Sequence, residues 1–224
     1  DLLGNVWTFD LTALTTTKLA VLKDASGNTQ PVTSAPELAK LYDKRLIMVG
    51  SGRLLDITDF GSTRTQSFYA FTDGAAMSNA RTSLVKQTYT RGATPELTNN
   101  PVNWTTGRGW YFDLPAGEQA NTQPTIAYGA VAFVTNKNGG ADCSQTSYLY
   151  LVDVTSGSVV PGSDLASFLI SDKATSSRVI TLRVKDGKIV GTTHTSDNKV
   201  YRKELPLDKS IKPSKNAWRE VRSD

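Results

Sequence analysis

One histidine and one cysteine are all that the 224 residues offer to chemistry depending on those side chains. His194 stands in Gly191-Thr192-Thr193-His194-Thr195-Ser196, which reads as a strand end. A Ser-His-Asp or Cys-His device needs an imidazole to take the nucleophile's proton, so His194 would have to serve any of them. Neither His194 nor Cys143 sits in a local signature of that kind, and His194 reads as an exposed or hydrogen-bonded neutral imidazole. One His and one Cys cannot complete the usual four-ligand zinc set. Cys143 cannot close a disulfide inside this chain. It is either a small buried thiol or the half of a pair whose partner lies in a longer protein.

Four other patterns invite chemistry. Gly50-Ser51-Gly52-Arg53 begins like a phosphate-cradling loop, but it lacks the Gly-Lys-Ser/Thr ending that supplies the cation and the metal ligand. It reads as a strand-to-loop turn. Asp56 and Asp59 are spaced as an acid–base pair, a spacing that ordinary strand-connecting loops also contain. Asn136, Asn138 and Asp142 resemble half of a calcium loop without its charged opening Asp and its distal bidentate Glu, and a polar turn is expected there. Asn103-Trp104-Thr105 fits the glycosylation triplet, which recurs often by chance. No catalytic, cofactor-binding or metal-holding residue is assigned, and the chain is read as not an enzyme.

These residues must be positioned by strands. Hydrophobic residues make up 38% and charged residues 21% of the chain, and Gly occurs 17 times. Thr suits a pleated backbone and Gly a tight turn, so many short strands are expected. The longest apolar run, from Ile126 to Val134, falls far short of the about 18 residues that span a bilayer as a helix. Lys and Arg number 25 against 21 Asp and Glu. The excess is scattered until the tail, at Lys209, Lys212, Lys215, Arg219 and Arg222. Nucleic-acid binders concentrate such charge on one face, so a solvated surface is expected and no nucleic-acid partner.

An aromatic phrase recurs: Val6-Trp7-Thr8-Phe9-Asp10, Phe68-Tyr69-Ala70-Phe71-Thr72-Asp73, Trp110-Tyr111-Phe112-Asp113, and the weaker Tyr148-Leu149-Tyr150-Leu151-Val152-Asp153 and Val200-Tyr201-Arg202. The steps from Trp7 to Tyr69, Tyr111, Tyr150 and Tyr201 are 62, 42, 39 and 51 residues. Steps of this size suit four-stranded propeller blades with loop insertions. Apolar strands precede several copies, at 45–50, 130–134 and 187–192. The segment from Ala35 to Leu41 is expected to be extended, and residues 92–107 and 136–143 to be loops. The expected fold is all-β, a partial β-propeller of about four quinoprotein-like blades. Since the first copy opens in mid-blade, residues upstream of Asp1 are expected.

Several of these stretches together resemble the C-terminal region of the type IV pilus tip-associated adhesins, the PilC/PilY family. The phrases are Asp1-Leu2-Leu3-Gly4-Asn5-Val6-Trp7-Thr8-Phe9-Asp10-Leu11, Gln30-Pro31-Val32-Thr33-Ser34-Ala35-Pro36-Glu37, Val49-Gly50-Ser51-Gly52-Arg53-Leu54-Leu55 with Thr65-Gln66-Ser67-Phe68-Tyr69, and Gly109-Trp110-Tyr111-Phe112-Asp113-Leu114-Pro115-Ala116-Gly117-Glu118. They continue through Cys143 with Tyr148-Leu149-Tyr150 to the closing Trp218-Arg219-Glu220, in order along nearly the whole chain. The resemblance implies that residues 1–224 are the C-terminal part of a propeller domain whose N-terminal blades are missing, and that the chain stops near the natural C-terminus. It implies a Gram-negative protein exported to the pilus tip or outer cell surface, supporting pilus assembly and adhesion to host cells or surfaces. Minor pilins or other pilus components, and a host receptor, are the implied partners. The family's calcium loop lies just before the first phrase, so Ca2+ is implied for the full-length protein and no cofactor for this chain. Two alternatives share the same blade grammar: a quinone-dependent dehydrogenase and a periplasmic propeller scaffold.

Overall fold

The computed structural model describes residues 1–139, 144–185 and 188–206. It is all-β, with no α-helix among those residues and two single-turn 3-10 helices, Ile57–Asp59 and Ala80–Thr82. Strands β1 (Asn5–Asp10) and β2 (Thr15–Val21) form a hairpin. A five-stranded sheet follows, built from β3 (Glu37–Leu41), β4 (Lys44–Gly50), β5 (Ser67–Thr72), β6 (Val85–Gln87) and, after the ribbon of β7 (Tyr89–Thr90) and β8 (Glu96–Leu97), β9 (Gly109–Asp113). Its spatial order is β3-β4-β5-β9-β6. The third sheet is a meander of β10 (Thr125–Ala127), β11 (Ala130–Asn138), β12 (Gln145–Asp153) and β13 (Ser167–Ser171). The fourth joins β14 (Thr181–Lys185), β15 (Lys188–His194) and β16 (Val200–Pro206). All pairings are antiparallel except β6 with β9. The sheets are open, and none closes on itself.

The two middle sheets are buried on both faces, which is why their strands read as unbroken apolar runs and not as alternation. Successive side chains of a strand point to opposite faces. On β4, Leu46 and Met48 therefore join one core with Phe68, Ala70, Trp110 and Phe112, while Ile47 and Val49 join another with Tyr69, Phe71 and Tyr111. The first core continues into the third sheet through Val131, Phe133, Tyr150 and Val152. The second lies against the hairpin residues Val6, Leu19 and Ala20. On the far face of the third sheet, Val134, Leu149 and Leu151 meet Val179, just before β14, and Tyr201 of the fourth. The sheets thus stack face to face in chain order.

A transverse line of hydrogen bonds ties each sheet to the next. The segment before β3 accepts and donates on both sides: Gln30 N–H donates to Leu22 O (3.0 Å), and Pro31 O accepts from Gly52 N–H (2.8 Å). The segment before β10 repeats this, with Ala120 N–H to Ser51 O (2.9 Å) and Gln119 exchanging both backbone bonds with Asn136. The segment before β14 does so again, with Ser176 N–H to Asn136 Oδ1 (2.7 Å) and Ser177 N–H to His194 O (2.8 Å). Gln30, Ser51, Gln119, Asn136 and Ser176 are all buried, and burial of polar groups is tolerated because they are paired. Gly50 and Gly52 make room for this line. A Cβ on Gly50 would stand 2.7 Å from Ala120 O, and one on Gly52 2.8 Å from Gln119 Cβ.

Turn chemistry fixes register where the sequence supplies it. Tyr128 and Gly129 join β10 to β11 with φ of 55° and 75°, the paired positive values of a type I′ turn.

The extended segment ending at Leu41 is β3, as expected, and β4, β11 and β15 each pair with the aromatic strand that follows them. One expectation is corrected. The phrases at 68–71 and 110–112 are not equivalent strands of successive units; they are hydrogen-bonded neighbours, Phe68 opposite Phe112 and Tyr69 opposite Tyr111. Residues 73–108 connect β5 to β9 and add β6 to the same sheet beyond β9, so sequence spacing counted an insertion as a repeat. Within the expected loop at 92–107, Glu96–Leu97 forms β8.

Candidate functional site

Residues 73–108 bind the five-stranded sheet to the four-stranded one, and a polar cavity lies beneath the crossing. Gln87 Nε2 donates to Ser156 O (2.8 Å), Pro95 O accepts from Ala166 N–H (2.9 Å), Trp104 Nε1 donates to Thr155 O (2.9 Å), and the Tyr89 and Ser167 hydroxyls share a hydrogen bond (2.7 Å). This places Arg91, just past β7, over the ring of Tyr148 at 3.5 Å and beside that of Tyr89 at 5.6 Å. Cation–π contact of this kind stabilises a partly desolvated guanidinium.

Glu118 meets Arg91 from the other side. It follows the turn Pro115–Gly117, closed by Glu118 N–H to Pro115 O (3.0 Å), in which Gly117 takes φ of 82° and a Cβ would stand 2.8 Å from Ser62 O. Its Oε1 forms an ion pair with Arg91 Nη2 (2.6 Å), and its Oε2 accepts from Thr135 Oγ1 (2.7 Å) and Tyr150 Oη (2.9 Å). Arg91 Nη2 also donates to Tyr150 Oη (2.9 Å). The Glu118 side chain is 3% exposed and that of Arg91 28%. Burial pushes the Glu118 carboxyl above the usual range, and Arg91 with the two hydroxyl donors offsets only part of that. Burial, reinforced by the Glu118 charge, likewise raises the Tyr150 phenol. The cavity, about 270 Å³, is lined by Arg91, Glu118 and Tyr148 with Pro115, Ala116, Lys137, Ser144 and Thr146.

A second, partly buried ion pair is already saturated. Arg81 grips Asp113 in bidentate fashion (2.5 and 2.9 Å), lies over the Tyr111 ring at 4.6 Å, and shares the carboxylate with Ser67 Oγ (2.8 Å) and Lys86 (3.6 Å). Burial raises the Asp113 carboxyl, but the hydrogen bonds from Arg81 and Ser67 outweigh it and hold it below its ordinary value. This cluster fixes β9 to Ala80–Thr82. A further, apolar groove of about 260 Å³ lies between β1 and β3, where Trp7, Phe9 and Leu38 are exposed.

The residues that drew attention in the sequence are dispersed. His194 is exposed on β15, and its backbone N–H and C=O both bond to Ser177. Asp56 and Asp59 make a capping box at the Ile57–Asp59 turn, with Asp59 paired to Arg53 (2.6 Å); their work is local. Gly50-Ser51-Gly52 is the end of β4 and the inter-sheet line. Asn136 and Asn138 overturn the expected polar turn, because β11 runs on to Asn138 opposite Gln145. Buried Asn136 donates from Nδ2 to Asn121 Oδ1 (3.0 Å) and Ser176 O (2.9 Å). The strand persists there because the next sheet supplies partners for its polar side chains. Asn103 Oδ1 accepts from Thr105 and Thr106 N–H in a turn. Asp142, Cys143, Gly187, the basic tail and Trp218-Arg219-Glu220 lie outside the described residues. Among the described residues no group of three or more His, Cys, Asp or Glu is placed to hold a metal, and no helix is long and apolar enough to cross a membrane.

Neither Arg91 nor Glu118 carries a site signature in the sequence. The nearest sequence signal was a charged residue, Glu118, following a Pro-Ala-Gly turn beside an aromatic strand.

The chain is 27% identical over 193 residues to a protein of Xylella fastidiosa (strain Temecula1 / ATCC 700964) described as "Type IV pilus biogenesis factor PilY1 homolog", covering 72% of this chain and 13% of that protein. The chain thus spans about an eighth of the length of the curated relative it matches. No family model matches the chain, and no solved structure matches it. The similarity links the chain to a type IV pilus biogenesis factor.

Proposed function

We propose that this chain is part of a type IV pilus biogenesis factor, contributing the C-terminal blades of a β-propeller that works at the pilus tip or outer cell surface of a Gram-negative bacterium. The sequence similarity that runs through most of the chain carries this reading. The face-to-face stacking of sheets in chain order supports the propeller, since blades bury their faces against neighbouring blades and three of the units are meanders or contain one. The chain binds and assembles and does not catalyse. The one imidazole is exposed on a strand, and the strongest buried carboxylates are engaged by arginines. Minor pilins or other pilus components are its partners, with adhesion to a host receptor or surface as a further role. Calcium belongs to the full-length protein, and no residue of this chain is assigned to it.

The test is genetic. Deleting the gene in the bacterium that carries it is expected to reduce surface pili counted by electron microscopy, with recovery on complementation by the full-length gene. Restoring piliation with a gene lacking the segment from Asp1 onward would overturn the role given to these residues. Attachment per pilus, measured separately, tests adhesion. Calcium, quinone and a dye acceptor added to the purified protein are expected to give no dye reduction.

A further inference from the structure

We infer that the groove between β1 and β3 receives an apolar β-strand of the same polypeptide, one that lies just upstream of Asp1 and pairs antiparallel with the open edge of β1. The repetition among the sheets carries this, independently of any pilus role. Three aromatic strands, β5, β12 and β16, each pair antiparallel with the strand that precedes them, β4, β11 and β15. β1 carries the same kind of phrase, Val6-Trp7-Thr8-Phe9-Asp10, yet among the described residues it pairs with β2 alone. Such an edge presents a row of unpaired N–H and C=O groups, a template for a further strand.

The groove of about 260 Å³ lies beside that edge, with Val6, Thr8 and Phe9 on one side and Pro36, Leu38 and Ile47 on the other. Leu38 shows what belongs there. It is the second residue of β3 and stands opposite Ile47; Ile126 is the second residue of β10 and stands opposite Val131. The two positions are equivalent in successive sheets. Ile126 is half-buried against the core that Leu46 and Met48 of β4 help to form, whereas Leu38 is 62% exposed. β4, the partner of β5, thus contributes to the cover over Ile126. The equivalent cover over Leu38 is a strand that pairs with β1.

The recurring order, apolar strand and then aromatic strand, assigns that place to a segment adjacent in sequence, since consecutive strands neighbour each other roughly two-thirds of the time. The connections within the three complete pairs span 16, 6 and 5 residues. Asp1–Gly4 already supply four residues before β1, so the strand ends within a dozen residues of Asp1. Its counterparts are seven, nine and seven residues long. Alternate side chains of a strand point to one face, and those turned towards Pro36, Leu38 and Ile47 must be apolar. The Xylella fastidiosa protein has chain to supply such a strand, because the match occupies 13% of its length. Residues 1–224 by themselves leave the groove open, and the exposure of Leu38 and Phe9 belongs to that state.

Two readouts on the full-length protein test this. The coding sequence before Asp1 is expected to hold a strand-length apolar run ending within a dozen residues of Asp1. A stretch dominated by Pro, Gly or charged residues there overturns the assignment. In the second, Leu38→p-benzoylphenylalanine is introduced into full-length protein, and an equal mixture of 14N- and 15N-labelled molecules is irradiated and digested for mass spectrometry. Cross-links within one molecule, from position 38 to that upstream run, are expected. Cross-links only to the β1–β2 hairpin, to residues 207–224, or between differently labelled molecules overturn it.

Discussion

Gly157 lies flat against the indole of Trp110. A Cβ on Gly157 would stand 2.5 Å from Trp110 Cε3, and its φ of 71° is in the left-handed region. Trp110 is fully buried, and its Nε1 donates to Val154 O at 2.9 Å. The turn after β12 thus closes over a ring from β9 and leaves no slack. Gly157→Ala combines overpacking at about 1–3 kcal/mol with a left-handed backbone cost of about 1–2 kcal/mol. A loss of about 3 kcal/mol in urea unfolding is expected, with Trp fluorescence following the same transition. A change under 1 kcal/mol would show that the turn can move off the ring.

Phe133 and Phe9 belong to segments of similar composition but should behave oppositely. Phe133 stacks on Phe68 (3.9 Å between centroids) and on Tyr150 (4.9 Å), fully buried between two sheets. Phe9 is 67% exposed. Phe133→Ala is expected to cost about 3–5 kcal/mol, the range for emptying an aromatic site. Phe9→Ala is expected to stay within about 0.5 kcal/mol, as surface changes do. Equal effects in chemical denaturation would contradict the stacking of the two middle sheets.

Breaking the Arg91–Glu118 pair from one side should be expensive. Removing one partner of a buried pair costs about 3–5 kcal/mol, and the partial exposure of Arg91 places this case near the lower end, at about 3 kcal/mol. Glu118→Gln is the variant to measure, with Thr135→Val as a milder comparison at about 1 kcal/mol for one lost hydrogen bond. If Glu118→Gln unfolds at the wild-type denaturant midpoint, the pair is not stabilising the crossing.

Buried Glu118 and half-buried Asp113 should give opposite pH signatures. Asp113 is held below its unfolded value, so its contribution is present above about pH 4 and is lost as pH falls through the lower folded value. Glu118 is raised, so the folded chain takes up a proton that the unfolded chain has released. Its contribution is fully present below about pH 4 and is lost as pH rises through the folded value. Stability measured between pH 3 and 7 should therefore lose part of its acid-side decline in Asp113→Asn. In Glu118→Gln the decline on the acid side should steepen. The reverse assignment would show that Arg91 outweighs burial at Glu118.

The sequence carries the strands of the middle sheets clearly, because burial on both faces forces runs such as Leu46–Val49 and Ala130–Val134 that no surface loop would tolerate. It carries the pairing of each run with the aromatic strand after it, since short connections favour neighbours. It misplaces Trp110–Phe112 because spacing alone cannot tell a new sheet from an excursion that returns to the old one. It misses the continuation of β11 through Asn136, whose polarity reads as a turn until Asn121 and Ser176 are seen to satisfy it. Arg91 and Glu118 are 27 residues apart in the sequence with no shared motif; only the crossing of residues 73–108 brings them together.

The transverse line through Gln30, Ser51, Gln119, Asn136 and Ser176 makes each sheet a nearest neighbour of the next, as in a linear array. In such an array, cooperativity is set by the couplings between units as much as by the units themselves. The five- and four-stranded sheets have a neighbour on each side, while among the described residues the β1–β2 hairpin is covered on one side. Amide exchange is then graded and not uniform: slowest in β5, β9, β11 and β12, which open only when two couplings fail together, and fastest in the hairpin, which peels away at the cost of one.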